Sequence, residues 1–229
     1  MTLVLGIDDA GRGPLIGPMI LAGVLMEKYK DGIFRDHGIK DSKLLSHKQR
    51  LELQKTIKEH SVDSFIVKSM PDEIDSAVHS TNLNTLEAMK TAEIINNINQ
   101  GKYQKEKIKV IVDCPSVNIK KWQETLKTFI EHKDNLDISC EHKADFNHPV
   151  VSAASILAKC MREEEVDKLK KEYSKYGNIG SGYPSDPSTK EFLKKHGKTL
   201  GDSGIFRKSW ATWKALFPEQ KKQSTLEGF

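Results

Sequence analysis

The sequence predicts an α/β fold, a sheet flanked by helices, with a largely helical C-terminal part. Three observations carry this expectation. Apolar strand-like segments alternate with helix-like ones up to about residue 145. Helical patterns dominate after that point. Two of the strand-like segments, "TLVLGIDD" and "KIKVIVD", end in aspartate.

Each element has its own signal. Thr2 to Asp8 is an apolar strand, and Pro18 to Met26 is a second, rich in Ile, Leu and Val. Ser46 can cap a helix running to about His60, with Leu51, Leu53 and Ile57 on its apolar face. Val62 to Met70 alternates as a strand does. Leu83 to Gln100 reads as a helix, with Leu83, Leu86, Met89, Ile94, Ile95 and Ile98 inward and Gly101 as its stop. Lys107 to Asp113 is the clearest strand. A helix over Ile119 to His132 and a short strand over Leu136 to Glu141 follow. Pro149 to Tyr176 is a long helix, apolar all round to Leu157 and highly charged beyond, so its first half is expected to be buried and its second half solvated. After Gly177 come a Gly/Pro-rich loop, a helix near Ser188 to Lys195, and a short helix near Ser209 to Phe217. The expected organisation is one domain over residues 1–217, helical from about 149, and a polar tail over 218–229.

Composition narrows the class. The chain has 229 residues, 37% hydrophobic and 30% charged, enough for a sizeable core. Its longest apolar run, Leu15 to Met26, is broken by Gly17, Pro18 and Gly23 and falls short of the roughly 18–20 residues a membrane helix needs. Asp8 and Asp9 end the first apolar stretch too early for a secretory signal. Cys114, Cys140 and Cys160 are too few and too dispersed for a disulfide framework or a CxxC metal knuckle. A cytoplasmic monomer with no membrane partner is expected. The net charge of +4 is unevenly placed: residues 1–158 carry 21 basic and 22 acidic side chains, residues 159–229 carry 15 and 10. A basic C-terminal third suits a phosphate-bearing partner, and equally a solvated helical surface.

The candidate chemistry lies in Asp8, Asp9, Asp113 and Asp145. Neighbouring strands of an α/β sheet end at a common edge, where ligands usually bind. Two aspartate-terminated strands would set several carboxylates close together, an arrangement that needs protons or cations. Oxygen-only ligands favour Mg²⁺ or Mn²⁺. Two such ions about 3.5–4 Å apart can activate water and stabilise a leaving oxygen in phosphodiester hydrolysis. One aspartate after a strand is ordinarily a cap or turn former. For both strand ends together, capping and metal binding stand as equal alternatives. "GRGPLIG" brings Gly11, Gly13 and Gly17 after a strand, but the spacing is G-x-G-x-x-x-G rather than the dinucleotide fingerprint, and Asp8 and Asp9 would repel a pyrophosphate. Gly11 and Gly13 instead allow close backbone approach to a sugar or phosphate, with Arg12 as a forked donor. In "SGYPSDP", Tyr183 is presented between Gly182 and Pro184, placed either to stack on a sugar or base or simply to pack.

These residues resemble the ribonuclease HII family, particularly its archaeal members. "GIDDAGRGPLIGPM", "DSKLLS", "VDCP", "HKADFNHPVVSAASILAK", "GSGYPSDP" and "RKSW" run in the family's order from residue 6 to residue 210. The resemblance implies an RNase H-like fold, with a mixed five-stranded sheet, flanking helices and a helical C-terminal extension. It implies an endonuclease that cuts the RNA strand of RNA–DNA hybrids and cuts 5′ to single ribonucleotides embedded in duplex DNA. Asp8, Asp113 and Asp145 match the first, third and fourth family acids. The second is normally glutamate and here is Asp9, whose carboxylate sits about 1.5 Å further back. Because Mg²⁺ demands near-ideal octahedra, the change implies loose binding of one ion, a Mn²⁺ preference, or a bridging water. It also leaves open a catalytically weakened member that only binds hybrids or junctions. The resemblance assigns reading of the 2′-hydroxyl to Gly11, Arg12 and Gly13, largely through backbone groups, and gives Tyr183 contact with the same sugar region and sensing of the RNA-to-DNA junction. The physics agrees, since that hydroxyl distinguishes RNA from DNA. Lys43 and Lys143 are candidate phosphate contacts, with an ordinary solvated lysine as the default for each. The tail "KKQSTLEGF" is similar to a sliding-clamp (PCNA) interaction motif, with Gln223, Leu226 and Phe229 as its anchors and no second aromatic.

Overall fold

Strand β1 (Leu3–Ala10) is apolar on both faces because it runs through the middle of the molecule, with residues buried along nearly its whole length. In the computed structural model, which describes residues 2–39 and 45–218, the sheet order is β3-β2-β1-β4-β5. Here β2 is Met19–Glu27, β3 Asp63–Ser69, β4 Ile108–Asp113 and β5 Leu136–Glu141. β1 pairs antiparallel to β2, and β2 to β3. β1 and β4 are parallel, as are β4 and β5. The mixed five-stranded sheet is thus as the family resemblance implies.

Helices cover both faces. On one lie α1 (Asp31–Asp36), α2 (His47–His60) and α7 (Pro149–Glu172). α7 sits so close that a Cβ on Gly6 would lie 2.5 Å from the Val150 carbonyl carbon, so glycine is what lets helix and strand meet there. On the other face lie α3 (Pro71–Ser80), α4 (Leu83–Ile98) and α5 (Ile119–Thr128). A third cluster joins Leu15 and Ile16 to Phe206 and to α8 (Pro187–His196), anchoring the C-terminal part beside the sheet's end. The last described helix is α9 (Ala211–Leu216).

Several expected boundaries move for identifiable reasons. Ser46 caps α2 as expected, in a reciprocal capping box with Gln49. α1 and α3 were not expected, although Ile74, Ala77 and Val78 give α3 a helical spacing and Pro71 at its first turn was a usable start marker. The helix from Ile119 ends at Thr128 rather than His132, because Asn96 of α4 and Asn99 just past its end capture the following chain: Asn96 Nδ2 donates to Phe129 O and Asn99 Nδ2 to His132 O. Met89, expected inward, is 46% exposed, and Glu87 and Thr91 take the buried positions. The second half of α7 is not wholly solvated either, since Arg162 and Val166 are buried. No helix among the described residues is long and apolar enough to cross a membrane.

Candidate active site

Parallel pairing of β1 and β4 brings their C-terminal ends to one edge. The ladder runs to Ile7 opposite Val112, which sets Asp8 beside Asp113. Asp8 and Asp9 are not beyond the strand but within its last turns of pleat, so they point to opposite sides. Asp145 arrives by a sharp reversal after β5. Lys143 adopts φ 59, the only positive φ outside glycine among the described residues, and starts the short helix α6 (Ala144–Asn147). The Ala144 amide then donates to Asp113 Oδ1 at 2.9 Å. One oxygen from each of Asp8, Asp113 and Asp145 lies within 4.8 Å of the others.

This cluster is electrostatically uneasy. Burial raises Asp8 well above the ordinary carboxylate range, and Asp9 and Asp113 raise it further; a hydrogen bond from Ser155 works the other way. Asp9 is pushed up to about 6, by burial first and Asp113 after Arg12's opposing effect. Carboxylate oxygens converging in this way form a donor set suited to a hard divalent ion.

Asp9 stands outside the three-carboxylate group, on the groove side. That groove, about 770 Å³, passes from Asp9 over Gly11, Arg12 and Gly13 to Lys159, Arg162 and Tyr183. The groove therefore brings Asp9, the Gly-Arg-Gly turn and Tyr183 together, and Asp8, Asp113 and Asp145 cluster at the adjoining strand ends. A Cβ on Gly13 would lie 3.7 Å from Tyr183 Cε1. The tyrosine's loop is stitched to the chain after the turn, since Leu15 and Ile16 amides donate to Gly182 O at 2.8 and 3.2 Å. Lys143 is exposed, two residues before Asp145, and does not line the groove. Lys43, Gln223, Leu226 and Phe229 lie outside the described residues.

Sequence reasoning missed what holds the turn. Arg207, of "RKSW", is fully buried. It donates through Nη2 to Gly11 O at 2.7 Å, through Nη1 to Arg12 O at 2.8 Å, and through Nε to Gly17 O at 3.1 Å. Trp210 Nε1 donates to Gly13 O at 3.0 Å. All three carbonyls of Gly11, Arg12 and Gly13 are thus bound from the C-terminal segment. Glu87 was also missed, although it falls four residues after Leu83 on the apolar stripe of α4. Its carboxylate lies 3.0 Å from Arg12 Nε, and burial together with Asp9 pushes its pKa up to about 8. Arg12 Nη2 donates to Asn84 Oδ1 at 2.7 Å and Nη1 to Pro115 O at 3.2 Å. Its guanidinium therefore ties the turn to α4 and to the loop after Asp113, rather than extending freely as a substrate donor.

Cys114, beside Asp113, is no nucleophile, because it is buried and burial raises its thiol pKa. A mixed five-stranded sheet flanked by helices, with three carboxylates gathered at the ends of its central strands, is the architecture of the RNase H-like class. The ribonuclease HII family model matches residues 5–213. The chain is 42% identical to ribonuclease HII of Methanococcus maripaludis over 226 residues, 98% of this chain and 91% of that one. It is 39% identical to ribonuclease HII of Methanocaldococcus jannaschii over 235 residues, 98% of this chain and 99% of that one. The solved ribonuclease H2 of Pyrococcus horikoshii superposes with a TM-score of 0.81 at 36% identity, covering 93% of this chain and 96% of that one. The chain belongs to the ribonuclease HII family, metal-dependent endoribonucleases acting on RNA–DNA hybrids.

Proposed function

We propose that this ribonuclease cuts hybrids along their RNA strand and also cuts 5′ to a single ribonucleotide in duplex DNA, leaving a 3′-hydroxyl and a 5′-phosphate. The observation that carries the reading is that the groove lined by the Gly-Arg-Gly turn and Tyr183 starts at Asp9, the residue next in β1 to Asp8 of the three-carboxylate cluster. Asp8, Asp113 and Asp145 would hold divalent cations, with Asp9 completing the set from the groove side. Two Mg²⁺ or Mn²⁺ ions would supply an activated water and charge neutralisation at the leaving oxygen. The turn's backbone and Tyr183 bind the ribose and orient its 2′-hydroxyl, and Lys43 and Lys143 contact phosphates. A 5′-labelled duplex with one ribonucleotide, compared with an all-DNA duplex and a long hybrid, tests this. Incision at the ribonucleotide and none in all-DNA is expected. Tight binding without incision would favour the weakened, binding-only member that Asp9 leaves open.

Asp9 gives a sharper test. Asp9→Glu restores the family's longer carboxylate, so activity in Mg²⁺ should rise several-fold relative to activity in Mn²⁺, with little change in substrate affinity. Metal titrations of the two proteins check this; an unchanged Mg²⁺-to-Mn²⁺ activity ratio would show that backbone or water already fills the gap.

The domain over residues 1–217 performs the chemistry, and the tail over 218–229 recruits a sliding clamp. Support comes from the Gln223, Leu226, Phe229 spacing and from the solved PCNA–RNase HII complex of Archaeoglobus fulgidus, which matches with a TM-score of 0.77 at 33% identity over 99% of this chain and 100% of that one. A short-motif anchor predicts micromolar affinity by order of magnitude. Deleting Gln223 to Phe229 should abolish clamp binding in calorimetry and leave cleavage of a short free duplex unchanged. Equal clamp binding by Leu226→Ala/Phe229→Ala would remove the motif from the account.

A further inference from the structure

Arg162 sits in an expensive place. It is 8% exposed, on α7, and no carboxylate lies within ion-pairing distance of it among the described residues. Its Nε is buried and meets no acceptor. Arg207, a second buried guanidinium, is near enough that the two cations disfavour each other. Unpaired buried charge of this kind costs stability unless something else requires it.

What Arg162 touches shows the requirement. Its Nη2 donates to Ser181 O at 3.1 Å, and its guanidinium lies 5.0 Å from the centre of the Tyr183 ring. On its other side it is wedged against the turn. A Cβ at Gly11, which has φ +85, would fall 2.5 Å from Arg162 Cδ and 2.6 Å from Nε. A Cβ at Gly182 would lie 3.6 Å from Nη2. One side chain therefore contacts the backbone of both loops that converge on the groove and the face of the ring between them. Arg207 holds the turn from its carbonyl side, and Arg162 fixes the distance from turn to tyrosine.

We propose that Arg162 is a positioning residue that sets the Tyr183 ring against the Gly-Arg-Gly turn and so defines the width of the ribose slot. The proposal rests on the reading of Tyr183 and the turn as the sugar contacts. The cation over the ring face restrains its tilt. The bond to Ser181 O restrains the loop that carries it.

A double-mutant cycle on a duplex containing one ribonucleotide tests this, with kcat and KM measured for Tyr183→Ala, Arg162→Met and the pair. Tyr183→Ala is expected to lower kcat/KM by roughly ten- to a hundredfold, the range for loss of one stacking contact. Arg162→Met should give a comparable loss, visible in KM as well as kcat, but less than about twofold further loss once Tyr183 is alanine. Arg162→Lys, which keeps a cation over the ring, should recover part of the loss, and it completes the cycle if Arg162→Met does not fold. A merely structural arginine behaves differently: it lowers the folded fraction, leaves KM unchanged, and its loss multiplies with that of Tyr183→Ala. Multiplying losses, or wild-type kcat/KM in Arg162→Met beside an impaired Tyr183→Ala, would overturn the positioning role. Wild-type kcat/KM in Tyr183→Ala itself would instead overturn the sugar-contact reading, and the proposal with it.

Discussion

Asp8→Asn is expected to lower cleavage at least a hundredfold and, in the metal-free protein at pH 8, to raise the melting temperature by a few degrees. The two effects have one cause. Asp8 is buried beside Asp9 and Asp113, and its charge is disfavoured by burial and by both neighbours. With cations bound, that charge is the asset; removing it forfeits several kcal/mol of charge stabilisation, at about 1.4 kcal/mol per decade of rate. Without cations it is a liability. Asparagine keeps an oxygen to accept from the Asp9 amide, now bonded to Asp8 Oδ1 at 2.7 Å, and removes the repulsion. Each pKa unit of relief is worth about 1.4 kcal/mol, and about 2–4 °C accompanies each kcal/mol for a chain of this size. The pH dependence has a definite sign. Asp8, Asp9 and Glu87 have folded pKa values above their unfolded ones, at about 6 for Asp9 and about 8 for Glu87. The folded state therefore binds protons more tightly, so their contribution is most favourable below about pH 4 and is lost as pH rises through those raised values. Divalent cation should restore stability at pH 8 by mass action, and less so in Asp8→Asn. Thermal denaturation with and without Mg²⁺ or Mn²⁺, beside cleavage rates, checks both halves. A lower melting temperature with near wild-type cleavage would remove Asp8 from the cluster.

The second large effect belongs to Arg207. Arg207→Met leaves the carbonyls of Gly11, Arg12 and Gly17 without their buried donor. An unsatisfied buried acceptor costs about 1–3 kcal/mol, so the three together should lower the melting temperature by about 10 °C or more. Cleavage should fall further than the folded fraction does, because the turn proposed to bind the ribose loses its shape. Arg207→Lys should fall between, since one ammonium cannot span three carbonyls. Thermal denaturation and single-turnover cleavage below the transition check this. A melting temperature within about 2 °C of wild type would show that the turn holds itself.

Much of the sheet was legible because its signals are local. "KIKVIV" and "TLVLGI" are strands by composition, and parallel pairing then dictates that Asp8 and Asp113 share an edge. Asp145 was legible only through its motif. Nothing local says that a left-handed Lys143 turns the chain back so that Ala144 can donate to Asp113. Glu87, Arg162 and Arg207 were not legible as parts of the site. Each is a charged residue in a segment that reads as ordinary helix or loop, and each is buried by partners far away in sequence, as when Arg207 reaches Gly11 O across 196 residues. For Arg162 charge patterning suggested solvent, and tertiary contact decided otherwise.

The most direct test of the account is the chemistry of the cut ends. A duplex with one ribonucleotide, incubated with Mg²⁺ or Mn²⁺ and separately with chelator, should yield a 3′-hydroxyl on the upstream fragment and a 5′-phosphate on the ribonucleotide-bearing fragment, with no product in chelator. A 2′,3′-cyclic phosphate, or full activity in chelator, would contradict metal-assisted attack by water at the Asp8, Asp113 and Asp145 cluster.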